Sequence, residues 1–531
     1  PVSFMYYIKT LQIMKSLLEA LKRKNKDLPP VSIVNVASEF DLYKPFNIST
    51  LIKLLERQRA LVLGGGGAKG SFELGAIEYI YKRELYPQII CGTSVGSING
   101  AKLAEGEGPE ELRGLKGLQF IWYNLMNREE DMVIQEPSFA DLPDDAKEAA
   151  LWIGGYLVGG ALLAIPLVGY IFALGALGEL GDKINAFLKS KSWYNLSPME
   201  DKARKYLNTD RIKNSGIKLR IAIGCLNDTN LRYVTENGTI IEDDGTNHGS
   251  TTIIDGILAS AAIPTFFNAR KIGSEYYVDG GVREVVPIRI AIDAGATEVI
   301  AVVASAPPVD ALRPPVNFDD KSWLDIAFRA LDMYGVETLQ NDTFPVGGWK
   351  AGVEVKIIRP GVEVHGAQVV GQSLIRINSC YGYMSAFDKL DPRSKAFPVD
   401  SLAAITNAIT VNRMHTVPLE RSFASVKGGA RFLSRVDVQN DIDSIRKLKN
   451  ELLGMIRARV AALGSDSLPR GFDENWVNVW ESGSSRSTNL PDNPWQAFWV
   501  EIYRPTSPDE ELDVLHIDAD SPKPIAYPPL S

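Results

Sequence analysis

Ala60-Leu61-Val62-Leu63 runs straight into Gly64-Gly65-Gly66-Gly67-Ala68-Lys69-Gly70 and then into SFELGAIEYIYKRE, Ser71 to Glu84. The apolar run reads as a short buried strand, and the stretch after the glycines carries apolar residues at helical spacing. Strand, glycine turn and helix together are the repeating unit of an α/β fold. Consecutive glycines permit positive φ and close backbone approach. Several N–H groups can then face one anionic oxygen at the positive end of a helix. Taken alone, the run also suits a dinucleotide loop or an ordinary turn. The dinucleotide reading is weakened because the acidic residue expected about 20 residues further on is Glu84, inside KREL and not at a strand end.

Outward from this unit the α/β texture continues to about residue 360. IICG precedes Ser94, KLRIAIGC occupies Lys218 to Cys225, and ATEVIAVVAS occupies Ala296 to Ser305, each bordered by helix-like sequence. Upstream, Met5 to Arg23 has the spacing of an amphipathic helix, and Ser49 to Arg59 that of a second helix with Ser49 as N-cap. Downstream of about residue 400 a helix is expected over Asp441 to Leu463, followed by Gly, Ser and Pro punctuation. The expected organisation is a helical extension over 1–57, a catalytic domain over 58–400 and an appended C-terminal module over 401–531. No repeat of fixed period is visible.

Composition bounds the function. The 531 residues are 45% hydrophobic and 23% charged, with a net charge of -8, so a globular chain is expected and a general nucleic-acid binder is not. Cys91, Cys225 and Cys380 lie far apart, which supports neither a disulfide framework nor a zinc knuckle and suits a reducing, cytoplasmic setting. The four histidines, His248, His365, His415 and His516, are scattered, so no metal site is expected. The first residues show no signal-peptide pattern.

Two further motifs carry chemistry. Gly92-Thr93-Ser94-Val95-Gly96 follows the apolar Ile89-Ile90-Cys91 and precedes Ser97-Ile98-Asn99-Gly100-Ala101. It fits a nucleophile elbow, in which glycines on both sides relieve the crowding of a strained strand-to-helix turn. Asp279-Gly280-Gly281 is reached through Ala259-Ser260-Ala261-Ala262-Ile263-Pro264 and the strand-like Glu275-Tyr276-Tyr277-Val278. A lone Asp-Gly-Gly is ordinarily a turn.

In this order and combination the three motifs resemble the patatin-like phospholipase family, with the likeness covering about residues 58 to 310. The resemblance implies a three-layer α/β/α fold and a Ser94–Asp279 dyad. It implies an oxyanion hole from the loop of Gly65, Gly66 and Gly67, with Lys69 adding positive potential. It further implies cleavage of acyl esters of phospholipids or related glycerolipids, as a phospholipase A does, without calcium or other cofactor. The sequence departs from the family at Arg283-Glu284-Val285-Val286-Pro287, which lacks the asparagine common before that proline, and at Asn268, where proline is usual. A carboxylate of ordinary pKa near ~3.9 is a weak base, so Asp279 is expected to be desolvated or in direct contact with Ser94. The competing readings are a Ser-Asp-His esterase of non-lipid substrates using His365 or His415, and a catalytically silent lipid-binding or scaffold protein.

Ala149 to Gly178, AALWIGGYLVGGALLAIPLVGYIFALGALG, contains no charged residue. It is long enough for one bilayer crossing. A single crossing, however, would put Ser94 and Asp279 on opposite sides of the membrane. A helical hairpin broken near Pro166 to Gly169 is expected instead, acting as a lid, an interfacial insert, a self-association surface or a core hairpin. A membrane surface and a phospholipid or glycerolipid substrate are thus the expected partners, with peripheral membrane association.

Overall fold

The computed structural model describes residues 58–110, 112–137, 192–264, 266–307, 335–428 and 435–469. The expected helix over Met5 to Arg23 and the apolar segment 149–178 lie outside the described residues. So do the expected N-terminal extension 1–57 and nearly all of the Ser49 to Arg59 helix. The last residue of that helix is corrected, because Arg59 opens a strand.

In chain order the framework elements are β1 (Arg59–Leu63), α1 (Gly70–Lys82), β2 (Ile89–Gly92), α2 (Val95–Ala104), α3 (Gly114–Phe120), β3 (Ile134–Gln135) and β4 (Tyr194–Asn195). They continue with α4 (Ser197–Tyr206), α5 (Thr209–Asn214), β5 (Lys218–Cys225), β6 (Leu231–Thr235), β7 (Thr239–Ile241), β8 (Asn247–Ser250), α6 (Ile253–Ser260), β9 (Arg270–Ile272) and β10 (Glu275–Asp279). The remainder are α7 (Ile288–Asp293), β11 (Glu298–Val302), β12 (Glu354–Ile358), α8 (Gln372–Leu390), α9 (Val399–Gly428) and α10 (Arg435–Leu463). The helix expected from Asp441 therefore begins earlier, at Arg435.

Ten strands form one mixed sheet in the order β12-β11-β1-β2-β5-β6-β7-β8, with β10 added beside β5 and β9 beside β10. From β12 to β5 the pairings are parallel, and those beyond β5 are antiparallel. Strands buried on both faces read as unbroken apolar runs, which is why ALVL and IIC carry no polar alternation. Alternate residues serve opposite faces. Leu61, Leu63, Ile90, Ile221 and Ile300 enter one hydrophobic cluster with α1, α2 and α8. Ala60, Val62, Ile89, Cys91 and Ala301 enter another with α7. The arrangement is the three-layer α/β/α fold expected from the sequence.

α1 and α8 cross at close range. A Cβ built on Gly75 would lie 1.6 Å from the Ser379 carbonyl oxygen, and one on Gly382 would lie 1.9 Å from that of Phe72. Each helix therefore uses a glycine to let the other's backbone approach. The expected boundary at residue 400 falls inside α9, and Leu402, Ile409, Leu452 and Ile456 join the same cluster as Leu61 and Phe72. The fully buried Arg459 ties α10 to α8 and α9, bonding Asp388 Oδ1 at 2.8 Å and Thr406 Oγ1 at 2.9 Å.

Candidate active site

Register explains how Ser94 and Asp279 meet. β2 ends at Gly92, opposite Ile221 of β5. β10 then takes up the edge that β2 vacates and sets Asp279 opposite Ile223, two positions further along the same strand. At about 3.3 Å per strand residue, Asp279 thus stands just beyond the end of β2, where the elbow turns.

At that turn Ser94 has φ 55° and ψ −126°, a conformation costly for a residue with a side chain. Neighbouring bonds hold it there. The Ser94 N–H donates to Ser260 Oγ at 2.9 Å, and the Ser94 carbonyl accepts from Ser97 Oγ at 2.6 Å. Thr93 Oγ1 donates to the Glu284 carbonyl at 3.1 Å, tying the elbow to the segment after Asp279. Gly96 is required by contact, since a Cβ there would meet the Leu63 carbonyl oxygen at 2.3 Å. Gly92 faces the same turn, and its Cβ would strike the Gly96 carbonyl at 2.4 Å. Ser94 is also the N-cap of α2, so the positive end of that helix lies at the hydroxyl-bearing residue.

Asp279 is 4% exposed and accepts the Gly281 N–H at 2.7 Å. Burial pushes its carboxyl up to about 7, while the hydrogen bonds from the Ser94 hydroxyl and the Gly281 amide work in the opposite direction. Gly280 lies against the Ala222 carbonyl and so anchors the turn to β5. Burial therefore dominates at this carboxyl, and the pull of the nearby Ser94 hydroxyl and the Gly281 amide offsets it only in part.

The glycine loop divides its amides unevenly. Gly65 N–H donates to the Val285 carbonyl at 3.0 Å, which corrects the expectation that this amide faces an oxyanion: it is spent on holding the loop to the segment after Asp279. Ala68 and Lys69 likewise donate to Ala367 and Gly66. The amides of Gly66, Gly67 and, at the start of α2, Val95 have no hydrogen-bond partner among the described residues. The expected positive potential of Lys69 is offset, because its Nζ lies 2.5 Å from Glu363 Oε1.

Sequence reasoning missed the supports behind the site. Asp342 Oδ2 accepts the N–H groups of Val285 at 2.6 Å and Val286 at 3.1 Å. Buried Glu284 accepts from Tyr233 Oη at 2.7 Å, and burial pushes its carboxyl up to about 8. Asn99 bridges Glu73 Oε2 at 2.8 Å and Trp122 Nε1 at 2.9 Å beneath α2. Ser260 and Asn99 stand in the small-residue runs already noted beside the motifs, which was the available signal. Asp342 had none.

Among the described residues no histidine bonds to Ser94 or Asp279. His248 pairs with Glu242 and Glu275, and His365 bonds the Gly366 carbonyl and Asn378, which leaves the Ser-Asp-His alternative without its third member there. Ligand atoms of Cys225, Asp228 and Glu275 lie within 4.8 Å of one another, but the guanidinium of Arg232 already bonds both carboxylates. No helix of the described residues is long and apolar enough to cross a membrane.

A strained serine thus stands at the end of a parallel strand of the mixed sheet, with a buried aspartate beside it. Residues 61–292 match the family model "Patatin-like phospholipase", and that stretch is a patatin-like phospholipase domain, of a family of lipid hydrolases. A stretch of 102 residues is 33% identical to "Lysophospholipase NTE1" of Mycosarcoma maydis, covering 18% of this chain and 5% of that protein. Among solved structures, VipD from Legionella pneumophila aligns with 77% of this chain and 85% of its own, at 15% identity and TM-score 0.26. The type III effector ExoU aligns with 78% of this chain and 73% of its own, at 15% identity and TM-score 0.22. The fold assignment rests on the sheet and the family match.

Proposed function

We propose that the chain hydrolyses acyl esters of phospholipids or related glycerolipids through a Ser94–Asp279 dyad, acting peripherally at a membrane surface. The observation that supports this reading is the buried Asp279 carboxyl, raised to about 7 by desolvation against the pull of the nearby Ser94 hydroxyl, with Ser94 held in strained geometry. In the acylation step Asp279 accepts the Ser94 hydroxyl proton as Oγ attacks the ester carbonyl carbon. The resulting oxyanion takes hydrogen bonds from the unspent amides of Gly66 and Gly67, beside the positive end of α2. Collapse breaks the bond to the glycerol oxygen, which leaves with the proton that Asp279 held. Water then repeats the sequence on the acyl-serine and releases the fatty acid. No metal or organic cofactor enters these steps.

The test is fatty-acid release from phospholipid vesicles in excess chelator. Wild-type protein is expected to release it and Ser94→Ala to lose on the order of 10⁶ in kcat. Turnover by Ser94→Ala near the wild-type rate would overturn the assignment. Turnover of short soluble esters alone would overturn the lipid substrate.

A further inference from the structure

β11 and β12 end side by side on the same edge of the sheet as the elbow, with Val302 opposite Ile358. The residues that follow them form a charged cluster on the flank of the glycine loop. Gly65 lies against Ser94, and Gly66 lies against Ala304 and Lys69. Ser305 follows Ala304 directly. Lys69 Nζ approaches Ser305 Oγ at 3.5 Å, and Arg359 Nε donates to the Ser305 carbonyl at 3.2 Å. One acid sits in the group: Glu363 pairs with Lys69 and accepts the Ala306 N–H at 3.2 Å.

Among the described residues the charges of this cluster do not balance. Lys69 and Arg359 contribute two positive charges against one from Glu363, and the terminal nitrogens of Arg359 have no partner among the described residues. The guanidinium is half-buried, and loss of solvent disfavours its charged form, with only the field of Glu363 in its favour. A partly desolvated guanidinium fork whose terminal nitrogens meet no anion among the described residues is matched by the geometry of a phosphate oxygen pair. The cluster is joined to Ser94 by consecutive loop residues, so an anion held here would stand beside the reacting ester.

We infer that Arg359, with Ser305 and Lys69, forms a subsite for the phosphate group of an anionic glycerolipid, opposed by Glu363. This deepens the lipid-ester reading and rests on it. The phosphate chemistry has two possible sources, a lipid headgroup and free inorganic phosphate, and the subsite is assigned to the headgroup. Glu363 makes it selective, because its carboxylate repels an anion that Lys69 alone would attract.

Calorimetry on the full-length Ser94→Ala protein tests the subsite without turnover, using glycerol 3-phosphate, glycerol and inorganic phosphate as probes. Glycerol 3-phosphate is expected to bind and glycerol not. Adding Arg359→Gln should weaken binding about tenfold, the effect of losing one charge-assisted contact, and adding Glu363→Gln should tighten it. Unchanged affinity in the Arg359→Gln protein, with its unfolding temperature preserved, overturns the subsite. On protein with Ser94 intact, the ratio of kcat/KM for a monoacyl glycerol phosphate over a monoacylglycerol of the same chain should fall about tenfold in Arg359→Gln. Equal loss on both esters overturns it as well. Inorganic phosphate binding as tightly as glycerol 3-phosphate, with no change in the substrate ratio, overturns the headgroup assignment. If neither ester is cleaved, the proposed reaction fails, and the calorimetry still decides the subsite.

Discussion

Two buried aspartates show how differently this molecule treats the same side chain. Asp279 at the elbow has the Ser94 hydroxyl and one amide for company, with no cation among its partners, and burial lifts its carboxyl to about 7. Asp391, which follows α8, is also pushed up by burial. Bonds from Arg393, from its own turn and from Tyr79 outweigh that effect and hold it at about 2. Arg393 bonds both of its oxygens, at 2.8 and 2.9 Å, and Tyr79 Oη adds a third contact at 2.8 Å. The first acid is kept reactive at a cost in stability. The second is neutralised and fastens the C-terminal helices to α1. The edge that carries the elbow is therefore a place where the fold tolerates an unfavourable buried acid, and the α1–α8–α10 junction helps to compensate.

The largest expected effect breaks that contrast at its reactive end. Asp279→Asn keeps the shape but removes the base, and kcat on a lipid ester should fall on the order of 10⁴. The same variant should be more stable than wild type at pH 8. The folded-state pKa of Asp279 is raised, so its favourable contribution is full below 3.8 and is lost as pH rises to about 7. The gain from Asn should be absent near pH 4, grow between those values and plateau above, at on the order of 4 kcal/mol. Melting curves of both proteins at pH 4 and pH 8 check this. A variant less stable at pH 8 would show that Asp279 is not desolvated in the way described.

Asp391→Ala tests the other end. It leaves the buried Tyr79 hydroxyl without its acceptor and Arg393 with Asp466 as its remaining partner, and should cost about 2 kcal/mol by denaturant titration while leaving the pH profile of turnover unmoved. Because the pKa of Asp391 is depressed, its contribution is present above 3.8 and lost as pH falls towards about 2.

A smaller and direct comparison is the pH profile itself. A base with a pKa of about 7 must be unprotonated to act, so kcat/KM should fall about tenfold per unit below that value and level off above it. A profile flat down to pH 5 would mean that Asp279 titrates as an ordinary surface carboxyl.

The site was legible where chemistry depends on local geometry. Gly92, Ser94 and Gly96 declare the elbow because only glycine fits beside the Leu63 and Gly96 carbonyls. Asp279 was legible as a residue, though its position was not, since it depends on β10 pairing with the far half of β5. The fate of the Gly65 amide was hidden for the same reason: its acceptor, Val285, lies far along the chain. The C-terminal helices showed their periodicity but not their purpose. Arg459 is one of two neighbouring arginines in sequence, with Arg457, and becomes a tie only once Asp388 and Thr406 are brought beside it.

The smallest expected effect concerns a residue that never touches substrate. Asp342 holds the Val285 and Val286 amides, the Val285 carbonyl holds Gly65, and Glu284 holds Thr93, so one side chain steadies both the oxyanion loop and the elbow. Burial lifts the Asp342 carboxyl to about 6 against the pull of those two amides. Its oxygen, more than its charge, is what the amides require. Asp342→Ala leaves two buried donors unpaired and should lower kcat about tenfold with little change in KM, because the loop geometry it disturbs bears on the transition state more than on substrate binding. Asp342→Asn supplies an oxygen in the same place and should restore most of that loss. The two variants compared by kcat, KM and melting temperature decide the matter. Equal losses in Ala and Asn would show that the charge of Asp342 acts on the site, and a fall in stability without any fall in kcat would show that the tether to Gly65 has no part in catalysis.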